Sequence, residues 1–152
     1  MSVLKSKRRT SKAEFVNTAN SIFLETVNFL TRLSARYSRI IAEPTAKIAM
    51  DVRDRARRAN EIFPSDPQKA TLRRGHLIEA QAALGSLDEA LSDVYQILIL
   101  NPEGCFTTST GKTVDASTAS KKLDKMAQHL GDLIDREREL LAGALLETET
   151  HL

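Results

Sequence analysis

Glycine and proline are sparse in this chain, and apolar residues recur at helical spacing over most of its length. The 152 residues include 6 glycines and 4 prolines, too few for the many turns of an all-β fold. Between these breaks the apolar side chains return every three or four residues, as one face of an amphipathic helix requires. The pattern therefore predicts an all-α protein with long helices.

Four stretches of this periodicity predict four helices. A break is expected just before Pro44, because the residue that precedes a proline avoids the helical conformation, and a kink there is the alternative. Ile40 in the first stretch and Leu72 in the third are expected to face the core. The predicted helices cover about 12–42, 45–63, 67–100 and 116–146.

Polar residues at the predicted helix starts support these boundaries. Ser11 and Glu14 have the spacing of a capping box. Asp66 precedes a proline at the first position of the third helix, and either Asp115 or Ser117 is expected to cap the fourth helix.

Four long helices with mostly short connections predict an antiparallel up-down-up-down four-helix bundle over residues 11–147. Residues 1–10 are expected to form a flexible basic N-terminal arm, because they are rich in charge and poor in apolar residues. Residues 148–152 would form a short tail.

One long loop is expected between the third and fourth helices. Residues 102–115 are predicted to form a loop or a small hairpin with its tip near Gly111. The third helix ends in a turn that is apolar on all sides. That turn is either covered by the loop or buried in an oligomer, and its candidate oligomer-interface residues are Tyr95, Ile99 and Leu100.

Charge is distributed unequally along the chain. Residues 1–75 carry 16 Lys and Arg against 7 Asp and Glu, whereas residues 76–152 carry 6 against 13. Eleven of the 16 basic residues are arginines, whose guanidinium groups bind phosphate through paired hydrogen bonds. The pattern predicts a nucleic-acid-binding surface, with a solvated basic face as the alternative. The candidate nucleic-acid-binding residues are Lys5, Lys7, Arg8, Arg9, Lys12, Arg32, Arg36, Arg39, Arg53, Arg57, Arg58, Arg73 and Arg74.

The acidic half is interpreted as a solvated face or as a surface that meets the basic face of a neighbouring subunit. No histidine lies three residues after an acid, which is the spacing that di-iron bundles use. Neither a catalytic residue, a metal ligand nor a cofactor is therefore predicted. The acids assigned to this outer face are Asp88, Glu89, Asp93, Asp132, Asp135, Glu137 and Glu139.

The remaining composition indicates a cytoplasmic protein without a membrane partner. Cys105 is the single cysteine, so an internal disulfide is excluded and a reducing compartment is favoured. No apolar run approaches the roughly 20 residues that a membrane-spanning helix needs.

Two segments carry a resemblance to a known family. They are residues 1–8 (MSVLKSKR) with residues 11–15 (SKAEF), and residues 59–65 (ANEIFPS) at the end of the second predicted helix. Together with the four-helix layout, they resemble the accessory variability proteins of diversity-generating retroelements. The wider superfamily includes four-helix bundles encoded within ribosomal RNA intervening sequences.

The resemblance implies a non-enzymatic protein that assembles into a pentameric barrel with a basic exterior. It also implies binding to nucleic acid and to the reverse transcriptase of the element. The positions that match this role are the basic residues of the first three helices. The alternative function is a protein–protein interaction bundle that self-associates or docks a partner through its basic and acidic faces.

Overall fold

The computed structural model describes Ser2, Leu4 and residues 11–152. Residues 11–152 form a four-helix bundle without β-strands, which confirms the all-α prediction. The first helix packs against the second and the fourth, and the third packs against the second and the fourth. The long helices are α1 (Glu14–Leu30), α2 (Glu43–Glu61), α3 (Pro67–Leu98) and α4 (Ala116–Glu149).

The first helix is much shorter than predicted. It ends at Leu30, where the hydroxyl of Thr31 donates a hydrogen bond of 2.6 Å to the carbonyl of Asn28. Ser34 then adopts an extended backbone and precedes a new helical turn. The prediction of one helix over 12–42 is therefore wrong at residues 31–34, and residues 35–42 are helical but belong to the segment that leads into α2. Serine and threonine side chains compete for backbone groups, and they flank a break that neither glycine nor proline marks.

The predicted break at Pro44 is also wrong, because the chain stays helical through it. The turn Ala35–Tyr37 leads into a π-helix, Ser38–Ala42, which continues directly into α2. In a regular α-helix the ring of Pro44 would press against the carbonyl of Ile40. The wider π-helical turn before α2 accommodates the ring. Ile40, expected in the core, is 72% exposed.

The capping box predicted at the start of α1 does not form. The hydroxyl of Ser11 accepts a hydrogen bond of 3.1 Å from the N–H of Ala13. In a capping box it would accept from the N–H of Glu14 instead. The side chain of Asn17 binds the backbone N–H and carbonyl of Ser11 at 3.0 and 2.7 Å. The entry into α1 is thus fixed by an asparagine rather than by Glu14.

Aspartates cap the two longest helices. Asp66 accepts a hydrogen bond of 2.8 Å from the N–H of Lys69, and α3 begins at Pro67 as predicted. Asp115, one of the two residues considered for the last cap, accepts from the N–H of Thr118 at 3.3 Å.

The core is mostly aliphatic and is centred between the four helices. Leu72, predicted to face inward, is 54% exposed. The buried stripe of α3 passes through Ala70 and Leu77, so position 72 lies on the opposite side of the helix. The largest apolar side chains with almost no exposure are Phe29, Ile22, Leu77, Leu84, Leu87, Leu123, Ile134 and Leu141.

The connection between α3 and α4 folds back on the core. A short 3-10 helix, Pro102–Cys105, is followed by Phe106, and both Cys105 and Phe106 are buried. Beyond them one antiparallel bridge joins Thr107 to Thr113 around Gly111, whose φ of 81° favours glycine. None of the described helices is long and apolar enough to cross a bilayer.

Candidate nucleic-acid interface

Basic residues from distant parts of the sequence meet at one end of the bundle. This loop end consists of residues 31–42 and residues 99–125. The guanidinium carbon of Arg32 lies 4.6 Å from the ring centroid of Phe106, and the ammonium nitrogen of Lys122 lies 5.3 Å from the same centroid. The ring of Phe106, in the loop, thus contacts both the segment after α1 and the start of α4.

The loop end carries an excess of positive charge. It contains seven basic residues and three acidic ones. Two of the three acids are engaged locally. Asp115 caps α4, and Asp124 accepts a hydrogen bond from the hydroxyl of Tyr95. Asp115 also accepts from the hydroxyl of Thr118, and these hydrogen bonds lower its pKa.

Most of the loop-end cations are exposed and have no ion-pair partner among the described residues. Such cations can bind phosphate without first breaking an internal ion pair. They come from both halves of the sequence: Arg36, Arg39, Lys112, Lys121, Lys122 and Lys125.

Three predicted nucleic-acid-binding arginines are instead packed on phenylalanine rings. Arg32 packs on Phe106, Arg53 on Phe23 at 4.2 Å, and Arg73 on Phe15 at 6.0 Å, each measured to the ring centroid. A guanidinium group over an aromatic face is attracted by the electron density of the ring. All three side chains are only partly exposed. Their main contacts are therefore inside the fold.

Arg73 has the most internal contacts of the three. One guanidinium nitrogen, Nη1, donates to the carbonyls of Ala59 and Ile62 at 2.9 and 3.2 Å, where α2 ends. Its Nε donates to the hydroxyl of Thr148 near the end of α4 at 2.9 Å. A cation at a helix C-terminus satisfies unpaired carbonyls and opposes the helix dipole. Arg73 therefore joins α2, α3 and α4.

Other predicted residues are engaged in ion pairs or lie away from the loop end. Arg74 pairs with Glu149 at 3.2 Å, and Arg57 lies 3.7 Å from Asp54. Arg58 is exposed on α2 and has no ion-pair partner among the described residues.

Of the basic residues predicted near the N-terminus, only Lys12 lies among the described residues. Lys12 is exposed before α1 and, within the part of the chain that the structure describes, has no ion-pair partner. The remaining candidates there, Lys5, Lys7, Arg8 and Arg9, lie outside the described residues. Of the predicted arm over residues 1–10, only Ser2 and Leu4 are described.

Sequence reasoning missed the lysines that the acidic half contributes. Lys112 is next to the turn at Gly111, and Lys121, Lys122 and Lys125 lie on the first turns of α4. Summing charge over half of the chain concealed them. The cluster of three lysines within five residues was a visible signal, although the contact of Lys122 with the ring that also packs against Arg32 depends on the fold.

The apolar end of α3 is covered on one side. Leu98, Cys105 and Phe106 are buried together, whereas Ile99 and Leu100 are 36% and 78% exposed. Burial raises the pKa of the Cys105 thiol, although nearby Arg32 partly opposes this effect. Tyr95 is engaged by Asp124, and this hydrogen bond raises the pKa of its hydroxyl. Of the three residues predicted for an oligomer interface, Ile99 and Leu100 are the most accessible.

Glu137 was wrongly assigned to the outer acidic face. It has no exposed surface, and neither carboxylate oxygen has a hydrogen-bond partner. It follows Ile134 by three positions and precedes Leu141 by four, so helical geometry places it in the buried stripe of α4. Burial raises its pKa from 4.5 to about 8. Glu137 is therefore a neutral acid inside the core near pH 7.

The other acids of that group are at or near the surface. Asp88 and Asp135 both contact Arg138, at 2.8 and 3.3 Å. Within residues 11–152 no three His, Cys, Asp or Glu side chains are grouped as a metal site would require. The remaining members of the group, all exposed, are Glu89, Asp93, Asp132 and Glu139.

Comparisons with protein-family models, with curated proteins and with solved structures find no match to this chain.

Proposed function

We propose that this chain is a non-enzymatic accessory protein that binds RNA or DNA through the loop end of its bundle. The observation that supports this most is the set of exposed, unpaired cations, which includes Arg36, Arg39, Lys121 and Lys125. Phosphate contacts from such residues fix the position of a nucleic acid without reading its sequence. The mechanism would be scaffolding, in which the protein positions a strand for another protein.

The resemblance of residues 1–8, 11–15 and 59–65 supports two further parts of the proposal. The partner would be the reverse transcriptase of a retroelement, and the protein would act as a homo-oligomer, in the family a pentamer. The exposed side chains of Ile99 and Leu100 provide an apolar surface next to the basic one. A cytoplasmic location is proposed from the unpaired thiol of Cys105.

The proposed bundle topology is antiparallel up-down-up-down. Side-chain contacts between α3 and α4 support it, because Arg73 contacts Thr148 whereas Tyr95, later in α3, contacts Asp124, earlier in α4. This topology places the end of α1 and the start of α4 at the same end of the bundle.

Equilibrium binding across a salt series tests the proposed interface. The ligands are a structured RNA and a duplex DNA, each labelled and titrated with the purified protein. Each neutralised phosphate contributes about −0.9 to the log–log salt slope on duplex DNA. The loop-end variant removes four cations that have no internal ion pair: Arg36→Gln, Arg39→Gln, Lys121→Gln and Lys125→Gln.

A matched control removes the same number of charges far from the loop end, by Lys12→Gln, Arg57→Gln, Arg58→Gln and Lys69→Gln. We expect the loop-end variant to lose about three units of slope on duplex DNA, whereas the control loses about one or less. Equal losses in the two variants would contradict the assigned surface. Absence of binding by the unmodified protein at low salt would overturn nucleic-acid binding altogether.

A protein–protein interaction bundle is the second candidate function. Exposed acids on the outer side of α3 and α4, including Glu89, Asp93 and Asp132, favour it. The loop end of one copy could then meet the acidic side of another. Sedimentation equilibrium distinguishes the two candidates, because self-association that weakens with salt, without affinity for polyanions, supports the second.

A further inference from the structure

A small cavity lies at the loop end, between the segment that follows α1 and the turn that follows α3. Its volume is about 80 Å³, enough to hold several water molecules. A tetrahedral oxyanion is of similar size. Its lining includes four residues with polar side chains, Arg32, Ser34, Tyr37 and Asn101, and no carboxylate.

The guanidinium group of Arg32 is incompletely satisfied within the protein. Its Nε is buried and has no hydrogen-bond partner. Its Nη2 reaches the side-chain oxygen of Asn28 only at 3.5 Å, which is a long hydrogen bond. Packing on Phe106 fixes the plane of the group. The Nε is closed to solvent, so an anion in the cavity would be met by the terminal nitrogens of the group, of which Nη1 makes no hydrogen bond with the described residues.

The neutral side chains around Arg32 are also available as donors. Ser34 precedes the turn Ala35–Tyr37 without forming a side-chain cap. The side chains of Tyr37 and Asn101 make no hydrogen bond with the described residues. The thiol of Cys105 lies 3.8 and 3.7 Å from the carbonyls of Leu98 and Asn101, so it is directed toward the backbone. The cavity thus combines one cation with several free donors.

We propose that this cavity binds a phosphate monoester, supplied by the end of a nucleic-acid strand or by a free nucleotide. The inference builds on the nucleic-acid binding proposed above. A terminal phosphate enters a small cavity with a single ester link leaving it, whereas an internal phosphodiester needs room for two. The dianion would accept hydrogen bonds from Arg32 and its neighbours, while Arg36 and Arg39 add positive charge on the adjacent turns.

The test compares ligands that differ only in the terminal phosphate. One short single strand is used with a 5′-phosphate and with a 5′-hydroxyl, and adenosine monophosphate is compared with adenosine. Fluorescence anisotropy of strands labelled at the 3′ end gives the affinities of the strands, and calorimetry gives those of the nucleotides. We expect the phosphorylated ligand of at least one pair to bind about tenfold tighter, the scale of one or two charge-assisted hydrogen bonds.

Gly104, which also lines the cavity, provides a matched pair of variants. A Cβ atom added there would lie 3.8 Å from the side-chain nitrogen Nδ2 of Asn101, which is an ordinary van der Waals contact. Gly104→Glu places a carboxylate beside the cavity, whereas Gly104→Gln adds a side chain of nearly the same shape without charge. We expect Gly104→Glu to abolish the preference for the phosphorylated ligand and Gly104→Gln to retain most of it.

The nitrogen chemical shift of Arg32 Nε gives a direct readout, since its N–H should move when the phosphorylated ligand is added. A larger gain in affinity from the phosphate in the strand pair than in the nucleotide pair assigns the site to a nucleic-acid end, and an equal gain assigns it to a free nucleotide. If the hydroxyl strand binds and neither phosphorylated ligand binds more tightly than its partner, the cavity is not a phosphate site, although the proposed function stands. If only the nucleotide pair shows the preference and no strand binds, the cavity proposal stands and nucleic-acid binding fails.

Discussion

The interior and the loop end both contain ionisable groups without an ion-pair partner among the described residues, and burial gives the two sets opposite consequences. In the interior, the carboxyl group of Glu137 has neither a cation nor a hydrogen-bond donor beside it. At the loop end, Arg36, Arg39 and the lysines of α4 are exposed and have no ion-pair partner among the described residues. Water stabilises the exposed cations, so they stay charged and free for a polyanion. The buried acid instead becomes neutral.

The chemistry of its neighbours explains why Glu137 has no compensating charge. The neighbouring buried positions on α4 are Ile134 and Leu141. The buried polar residues on α1 and α2 are threonines, and among them Thr26 also has a hydroxyl without a partner. Burial is the one cause of the raised pKa, so no nearby charge determines the protonation state of Glu137.

The largest predicted effect is a pH-dependent loss of stability through Glu137. Its pKa in the folded protein, about 8, lies above the ordinary value of 4.5, so the folded state retains a proton that the unfolded state releases. The stability that this proton provides is fully present below pH 4.5 and is lost as the pH rises toward 8. We expect unfolding free energy to fall by about 1.4 kcal/mol per pH unit in this window, relative to Glu137→Gln.

Urea unfolding of both proteins at several pH values between 5 and 8 measures this difference. Glu139→Gln is the control, because Glu139 is exposed two residues along the same helix. The stability of the control should follow that of the unmodified protein across the range. If the unfolding free energy of Glu137→Gln changed with pH in the same way as that of the unmodified protein, Glu137 would be ionised and solvated. The contrast between the interior and the loop end would then not hold.

Arg73 is an intermediate case, a partly buried cation whose hydrogen bonds are all internal. Arg73→Met keeps an apolar chain over Phe15 but leaves the carbonyls of Ala59 and Ile62 without this donor. We expect a loss of about 2–3 kcal/mol in unfolding free energy, since partly buried acceptors lose a charged partner. Denaturant unfolding measures it, and a loss below about 0.5 kcal/mol would show that water replaces the guanidinium group.

The next predicted effect is on nucleic-acid binding and not on stability. It tests whether a cation contributes to binding because of its place in the fold or because it belongs to the basic half of the sequence. Lys121→Gln with Lys125→Gln removes two cations of the acidic half that lie at the loop end. Arg57→Gln with Arg58→Gln removes two cations of the basic half that lie on α2. We expect the lysine pair to reduce the salt slope on duplex DNA by about 1–2 units and the arginine pair to change it little.

Both double variants should unfold within about 0.5 kcal/mol of the unmodified protein, because exposed charges contribute little to stability. A larger loss of slope in the arginine pair would move the interface from the loop end to α2. The solvated-face alternative predicts that neither pair affects binding.

The sequence predicted the bundle well because its main signals are local. Apolar spacing identified four helical stretches, and the aspartates before α3 and α4 marked where they begin. The break at residues 31–34 was missed because serine and threonine interrupt a helix only when their side chains capture backbone groups. Pro44 was misread because a π-helix can precede a proline without ending the helical segment.

The candidate interface was less predictable because it depends on contacts between distant segments. Arg32 and Lys122 are ninety positions apart, yet both lie against Phe106. Arg53 and Arg73 were predicted to bind nucleic acid but pack on phenylalanine rings instead. The basic composition gave no indication of this packing. Glu137 could have been placed by its helical spacing alone, because positions 134, 137 and 141 lie on one face. Its acidic type led to the wrong assignment.

The smallest predicted effect comes from Arg74, the residue beside Arg73. It pairs with Glu149 at 3.2 Å, but both side chains are more than a third exposed, so water and salt screen the pair. Arg74→Met should therefore cost less than about 1 kcal/mol of unfolding free energy, and the cost should shrink further in high salt. Arg73→Met makes the same chemical change one position earlier. The ratio of the two losses in unfolding free energy, measured by denaturant unfolding, therefore isolates the effect of burial. Equal losses would mean that hydrogen bonds to the ends of α2 and α4 contribute no more than a surface ion pair.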